Sequence, residues 1–386
     1  MSGAEPHPIA DPRRREQARE YARIRRRLFV VDLAITTAAL VAVLATGASV
    51  RLSRALEALV PGYFGAVAAY VVVLVLGAAV LFLPLAYYGG FVLPHRYDLS
   101  VQTRRAWAAD YVKGTLVGLA QAVLLALAVY ALLRYLPDTW WIWAGLVLFV
   151  FAVLLTNLAP VLIVPLFFKL RPLADEDLRR RLTALAERAG TRVRGVFVID
   201  LSRRTRATNA ALMGIGNTRR IVLGDTLWQR FEPAEIQAVL AHELGHHVHQ
   251  DLWRGIALET ALSFGGLWLT DRLLRVLAPS LGLDGIADVA GLPLLLLVAG
   301  ALFTVLLPVT NGFSRRWEAA ADRCAVETTR DVEAWKGALR KLADQNLAEV
   351  DPPPWVEWLL YSHPSIRRRL EAADRIAASP PGRGPG

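Results

Sequence analysis

Six stretches of the chain are apolar for longer than a soluble helix requires: residues 28 to 50, 63 to 93, 112 to 136, 140 to 168, 254 to 277 and 290 to 311. Each is long enough to cross a hydrocarbon layer of roughly 30 Å as a helix. Pro84, Pro160 and Pro165, inside the second and fourth, predict kinks or tilt. Between the fourth and fifth runs the pattern changes. Leu178, Leu182, Leu185 and Ala189 recur at helical spacing, with Asp175 as N-cap and Gly190 as stop. "VRGVFVID" reads as a strand, and "NAALMGIGNTRRIVLGDTL" as a hairpin of two apolar runs around Gly216-Asn217. Pro233 and Glu235 open another helix. Beyond the sixth run, "SRRWEAAADRCAVETTRDVEAWKGALRKLADQ" reads as helix, stopped before Asp351-Pro352-Pro353-Pro354, and "YSHPSIRRRLEAADRI" contains a short one.

The pattern predicts a mainly α, polytopic membrane protein of about six transmembrane helices with a small α+β module. Its units are a basic N-terminal arm (1–27), a four-span region (28–168), the module (169–251), a two-span hairpin (252–311), a C-terminal helical segment (312–376) and a disordered tail (377–386).

Composition agrees: 54% of residues are hydrophobic, 20% are charged, and the mean hydropathy is +0.36. The first run is too long for the core of a signal peptide and reads as an uncleaved helix. The net charge of +10 does not point to nucleic acid, because many of the arginines flank the apolar runs. Eight of them precede Phe29, which predicts a cytoplasmic N-terminus. Counting crossings from there puts Arg96, Arg104, Arg105 and everything from Lys169 to Asp251 on the cytoplasmic side, with the C-terminus. The 278 to 289 loop, free of Lys and Arg, then falls outside. Arg51 and Arg54 dissent. Of 44 basic residues only four are lysine, a bias that with abundant alanine suggests a GC-rich bacterial genome. The expected location is the bacterial cytoplasmic membrane, or the endoplasmic reticulum in a eukaryote. The single cysteine, Cys324, permits no intrachain disulfide and reads as buried filler.

Four of the seven histidines lie in "VLAHELGHHVHQD", residues 239 to 251. His242 and His246 are four apart, so on a helix both imidazoles share a face and can hold one zinc ion, with Glu243 beside them as a base for the attacking water. His247 is rotated off that face and His249 lies two turns along; both read as bystanders. A catalytic zinc wants a third protein ligand. Glu259 is carried away along the fifth run. Glu318 fits, because the fifth and sixth runs form a hairpin that returns the chain to the leaflet it left at Asp251. Asp322, on the same helical face as Glu318, is placed to accept a hydrogen bond from a ligand histidine. Ala319, Ala320, Ala321 and Ala325 would let this helix approach the histidine helix closely.

"HELGH", "SRRWEAAAD", "NAALMGIGNTRRIVLGDTL" and "YSHPSIRRRL", in this order and with two spans before the glutamate, resemble the Ste24-type CAAX prenyl protease branch of the M48 zinc metallopeptidases. "RYDLSVQTRRAWAADYVKG" resembles a loop of the same branch. The resemblance runs from about Phe91 to Ile376. It implies a zincin-like module at the cytoplasmic face, one zinc per chain on His242, His246 and Glu318, and Glu243 as general base. It also implies that Asn209 and His363 contact the scissile peptide, His363 aiding the developing oxyanion with Arg369 in support. Ala210 begins a strand, "AALMG", that could pair with an extended substrate. The implied partners are a peptide or protein substrate, with or without a lipid modification, and membrane lipids, with no nucleic acid. Eukaryotic members have seven spans around a chamber, against six counted here.

Within this reading, CAAX-type cleavage competes with HtpX-like quality control of membrane proteins; the long region before the HExxH favours the first. A transporter would place ionisable residues at mid-membrane, yet Gln121 and Asn157 are the main polar residues of the second, third, fourth and sixth runs. A purely structural metal site has no need of Glu243.

Overall fold

In the computed structural model, which describes residues 11–214 and 218–378, the apolar runs are helical, the first with a break at Thr46-Gly47. The first helix, α1 (Pro12–Ala45), is opened by the Asp11 side chain accepting from the Arg13 N–H and stops before Gly47 in left-handed conformation (φ 66°). Residues 12–27, expected as an arm, are therefore the continuation of the first span. A short α2 (Ala48–Leu59) and α3 (Tyr63–Tyr87) follow. After Pro84 the chain passes through a π turn (Tyr88–Val92) into α4 (Leu93–Arg96), and α5 (Arg104–Tyr135) comes next. α6 (Trp140–Leu158) ends in a π turn at Pro160 (Ala159–Ile163) that leads into α7 (Val164–Phe167). The predicted prolines thus act by widening single helical turns.

The module contains β1 (Leu170–Pro172), α8 (Glu176–Arg188), β2 (Val196–Ile199), β3 (Ala210–Met213), β4 (Arg220–Gly224), α9 (Asp225–Arg230) and α10 (Pro233–Val248). The strand order is β1-β2-β4-β3, with β2 and β4 parallel and the other pairs antiparallel, so β3 lies at an edge. The hairpin is present as β3 and β4; its turn at Gly216-Asn217 lies outside the described residues. Asp175 caps α8 by accepting from the Leu178 N–H, and Leu178, Leu182 and Leu185 are buried as their spacing required. A reciprocal capping box between Glu232 and Glu235 opens α10.

Next come α11 (Asp251–Leu277) and α12 (Leu292–Thr329), then α13 (Val332–Gln345), α14 (Pro354–Leu360) and α15 (Ile366–Ala378). The stretch read as one helix from Ser314 to Gln345 is broken at Arg330, which is left-handed (φ 55°). Among the described residues, five helices are long and apolar enough to cross a membrane: Pro12–Ala45, Tyr63–Arg96, Arg104–Tyr135, Trp140–Phe167 and Val289–Thr329. The other expected span, α11, has the length but carries Arg254, Glu259, Asp271, Arg272 and Arg275. It packs against α6 and α12, and Asp271 is buried where it accepts from Trp140 Nε1 at 2.8 Å and from Arg275 Nε at 3.0 Å. Internal partners therefore take the place of uniform apolarity.

Three cores organise the molecule. One joins α8, the sheet, α10, α13, α15 and the C-terminal part of α12, through Ala325 and Val326. A second gathers Tyr70, Tyr130, Trp140 and the residues flanking the α11–α12 connection at the opposite end. The third packs Ala18 and Tyr21 of α1 against Leu93, Tyr97, Leu99 and Leu347. The 97–103 loop also joins the module, through a bridge between Ser100 and Thr205 and a bidentate pair from Arg204 to Asp110 at 2.8 and 3.1 Å.

The contact that positions the site is α10 against α12. Ala321 and Ala325 are fully buried there, Ala320 partly, and Ala319 is exposed. A Cβ added at Gly245 would meet Cys324 Cβ at 2.9 Å and Ala321 Cα at 3.0 Å. Cys324 is half-buried at this contact. Alanine gains up to about 1 kcal/mol of helix propensity over glycine, whereas overpacking against backbone loses about 1–3 kcal/mol. Gly245→Ala is therefore expected to lower stability by about 1–2 kcal/mol net, read as a fall in the thermal unfolding midpoint in detergent; an unchanged or raised midpoint would show that the helices are not in forced contact.

Candidate metal centre

α10 carries His242 and His246 on one face, and α12 brings Glu318 and Asp322 against it. His242 Nε2 is 3.2 Å from His246 Nε2 and 3.4 Å from Glu318 Oε2, and His246 Nε2 is 3.4 Å from Glu318 Oε1. A four-coordinate ion with bonds of roughly 2.0–2.1 Å separates its ligands by about 3.3 Å, close to each of these separations, with the two histidines facing different oxygens of Glu318. Glu318 Oε2 is buried with no hydrogen-bond partner, which suits a ligand atom. These three residues form the metal-binding group found among the described residues; His247 and His249 do not join it. His249 is instead the C-cap residue of α10. His95 is spent on backbone, its two ring nitrogens 2.6 Å from the Phe91 carbonyl and 3.0 Å from that of Gln102.

Each histidine has a carboxylate behind it. Asp322 Oδ1 lies 3.0 Å from His242 Nδ1, as the spacing on α12 anticipated. Asp251 Oδ2 lies 2.9 Å from His246 Nδ1, a partner the sequence did not reveal. Asp251 is the first residue of α11, and it reaches back because Gln250 turns the chain in left-handed conformation (φ 57°). Glutamine has no preference for that region, so nothing local announced the turn. His246 Nδ1 is hydrogen-bonded to its carboxylate and His242 Nδ1 faces one, so each ring turns Nε2 toward the metal position.

Arg369 is buried and gives Asp322 a two-point grip, Nε to Oδ2 at 2.8 Å and Nη2 to Oδ1 at 2.6 Å. Its guanidinium also stands 5.4 Å from the centroid of the Trp335 ring, on which the His242 imidazole stacks at 5.3 Å. Trp335 is fully buried and supplies a wall that its place in an ordinary amphipathic helix did not disclose.

Glu243 and His242 line a cleft of ≈ 380 Å³ together with Asn209, Ala210, His363, Arg369, Val239 and Ile366. All the residues expected to touch substrate therefore meet in one place. Burial pushes the Glu243 carboxyl above its usual range, and the neighbouring histidines pull only partly against it. His363 Nε2 is 3.0 Å from Glu318 Oε1, with Ser362 Oγ 2.8 Å from its Nδ1. Asn209 precedes the edge strand and is placed by its neighbour: Asn346 accepts from the Thr208 N–H at 2.8 Å and donates to the Thr208 carbonyl at 3.2 Å, as a paired strand would.

Comparison with known proteins agrees with this geometry. Residues 172–377 match the model of peptidase family M48, and residues 5–169 match that of the CAAX prenyl protease N-terminal region of five membrane helices. A Bacillus subtilis protein named as an uncharacterized metalloprotease, YhfN, is 31% identical over 98% of this chain and 89% of its own length. A CAAX prenyl protease 1 homolog of Arabidopsis thaliana is 33% identical over 76% of this chain and 69% of its own length. The crystal structure of S. mikatae Ste24p has the same fold, with a TM-score of 0.86 at 24% identity over 95% of this chain and 90% of that one. An HExxH helix completed by a glutamate from a returning helix, on a multi-pass membrane scaffold, is thus family architecture: the chain belongs to peptidase family M48 and is a Ste24-like membrane metalloprotease.

Proposed function

We propose that the metal is zinc, one ion held by His242, His246 and Glu318, and that the protein hydrolyses peptide bonds where the membrane meets the cytoplasm. The observation that carries the reading is the convergence of His242, His246 and the two carboxylate oxygens of Glu318 at separations of 3.2 to 3.4 Å, with Glu243 in the cleft beside them. Zinc, when bound, acts as a Lewis acid that polarises a carbonyl and makes water easier to deprotonate.

The protein's own groups do the rest. Glu243 takes the proton from the attacking water as the C–O bond forms, and delivers it to the amide nitrogen as the C–N bond breaks. A carboxyl raised by burial suits both transfers better than an ordinary one. His363 Nε2 donates to the carbonyl oxygen as negative charge develops on it. Asn209 and the free edge of β3, beginning at Ala210, hold the substrate backbone by strand addition, which tolerates varied side chains. Asp322 and Asp251 keep the ligand imidazoles in one tautomer, and Arg369 fixes Asp322 rather than reaching past it.

Two features bear on the substrate. An apolar cavity of ≈ 580 Å³ between α11 and α12 runs along Leu258, Leu262, Leu302 and Leu306 and ends at Trp317 and Ser362. Those two residues are the chain neighbours of Glu318 and His363, which puts this end of the cavity next to the segments that carry the site. We read this cavity as the seat of the apolar part of a lipid-modified peptide or of a membrane-embedded segment. The arginine distribution supports a site at the cytoplasmic face with both termini on that side, and the composition is a weaker support for a bacterial cytoplasmic membrane.

Glu243→Gln is expected to bind zinc at one ion per chain yet lose roughly 10²–10⁴ of kcat, checked by metal analysis alongside peptide hydrolysis; full activity in that variant would end the proposed mechanism. Cleavage of a farnesylated and an unmodified peptide of the same sequence separates the substrate readings. Preference for the farnesylated form supports a lipid-modified substrate; equal rates turn the reading toward quality control of membrane proteins.

A further inference from the structure

His363 presents a physical difficulty. Its side chain is 55% exposed, against 9% for Glu318 beside it, so packing does not hold the imidazole where it is needed. What does hold it is the backbone just before it. α14 has only seven residues; the Tyr361 N–H closes it on the Glu357 carbonyl at 3.3 Å, and the carbonyls that follow lie beyond the helix's own ladder. Two side chains of α12, one turn apart, take them. Asn311 Nδ2 donates to Leu359 O at 2.8 Å. Arg315 Nη1 lies 3.0 Å from Glu357 O, 3.3 Å from Trp358 O and 2.6 Å from Tyr361 O. The far end of Tyr361 is tied as well: its hydroxyl donates to Glu349 Oε2 at 2.9 Å, and the same carboxylate binds Arg26 of α1. Ser362 and His363 follow immediately, with Ser362 orienting the ring.

We propose that Arg315 is a positioning residue: by gathering the C-terminal carbonyls of α14 onto one nitrogen, it sets the height of His363 over the metal centre. Arg315 and Glu318 are three apart on the same helix. One fixes the backbone of the His363 segment and the other meets its imidazole, so the distance between histidine and metal ligand is written into a single turn of α12. The inference rests on the reading that His363 acts on the scissile carbonyl.

The test is a double-mutant cycle in the full-length, zinc-loaded protein in detergent, with kcat and KM measured on an unmodified peptide and the rates normalised to bound zinc. Arg315→Met keeps the length of the side chain and removes its donors. It is expected to lower kcat by roughly 10- to 100-fold, the scale of a catalytic group displaced by about 1 Å, with KM changed less than about threefold and zinc content unchanged. In a His363→Ala background the same substitution should cost less than about twofold, because the group it positions is gone, while in an Asn209→Ala background it should cost the full factor. Arg315→Lys should recover most of the rate, since the three contacts converge on one nitrogen that an ammonium can replace. Equal losses in the His363→Ala and Asn209→Ala backgrounds would overturn the proposal and leave Arg315 a general structural residue. No loss from His363→Ala alone would instead overturn the underlying reading of His363. Asn311→Ala, which releases only the Leu359 carbonyl, runs through the same cycle as a milder second variant and should show the same dependence on His363; loss independent of His363 counts against the proposal.

Discussion

The close approach of α10 and α12 is the constraint on which the rest depends. A metal site of two histidines and a glutamate tolerates errors of a few tenths of an ångström in its ligands, and here the ligands come from helices separated by two apolar helical runs. The precision comes from what is missing at the contact. Gly245 offers no side chain, Ala321 and Ala325 offer one carbon each, and the helices come together until backbone meets backbone. Hard-core contact is stiff in a way that long side chains are not. Because that contact is close, donors on different helices hold separations of 3.4 Å.

From that contact the functional residues follow along one stripe of α12. Asn311, Arg315, Glu318 and Asp322 recur at spacings of three and four, which on a helix is a single face. The first two bind the carbonyls of α14, the third meets the imidazoles, and the fourth is held by Arg369. The same helix begins among the apolar residues Leu292 to Leu307. The catalytic machinery is thus mounted on the end of a membrane helix, which ties the site's distance from the hydrocarbon to helix geometry instead of to a flexible link.

Much of this was legible in the sequence, and the reasons are physical. The HExxH spacing, the hairpin of apolar runs that returns Glu318, and the place of Asp322 all follow from helical periodicity, which survives in any context. The edge strand and its partner were legible as apolar runs around a turn. What stayed hidden depends on tertiary placement. Asp251 faces His246 only because Gln250 bends the backbone, and Trp335 lies under His242 only because α13 packs there. Arg369 was expected near substrate, and it stands in the cleft while holding Asp322, a distinction no spacing conveys. The helical continuation of α1 back to Pro12 was masked by its arginines, which read as a loose basic arm; its buried face, Ala18 and Tyr21, has too few apolar positions to signal packing. α11 was judged by length, and its charged residues set it apart in composition from the other long helices.

The docking of α1 has a consequence for synthesis. Tyr21 packs with Leu347, and Arg26 binds Glu349 across 323 residues of chain. α1 therefore leaves the ribosome well before the residues that satisfy its inner face, and the segment bearing His363 receives this anchor only when both are present. A chain made only as far as α11 has its histidine pair but not the returning glutamate. Proteolytic competence therefore waits for α12 and the segment of His363, which spares the membrane a half-built protease.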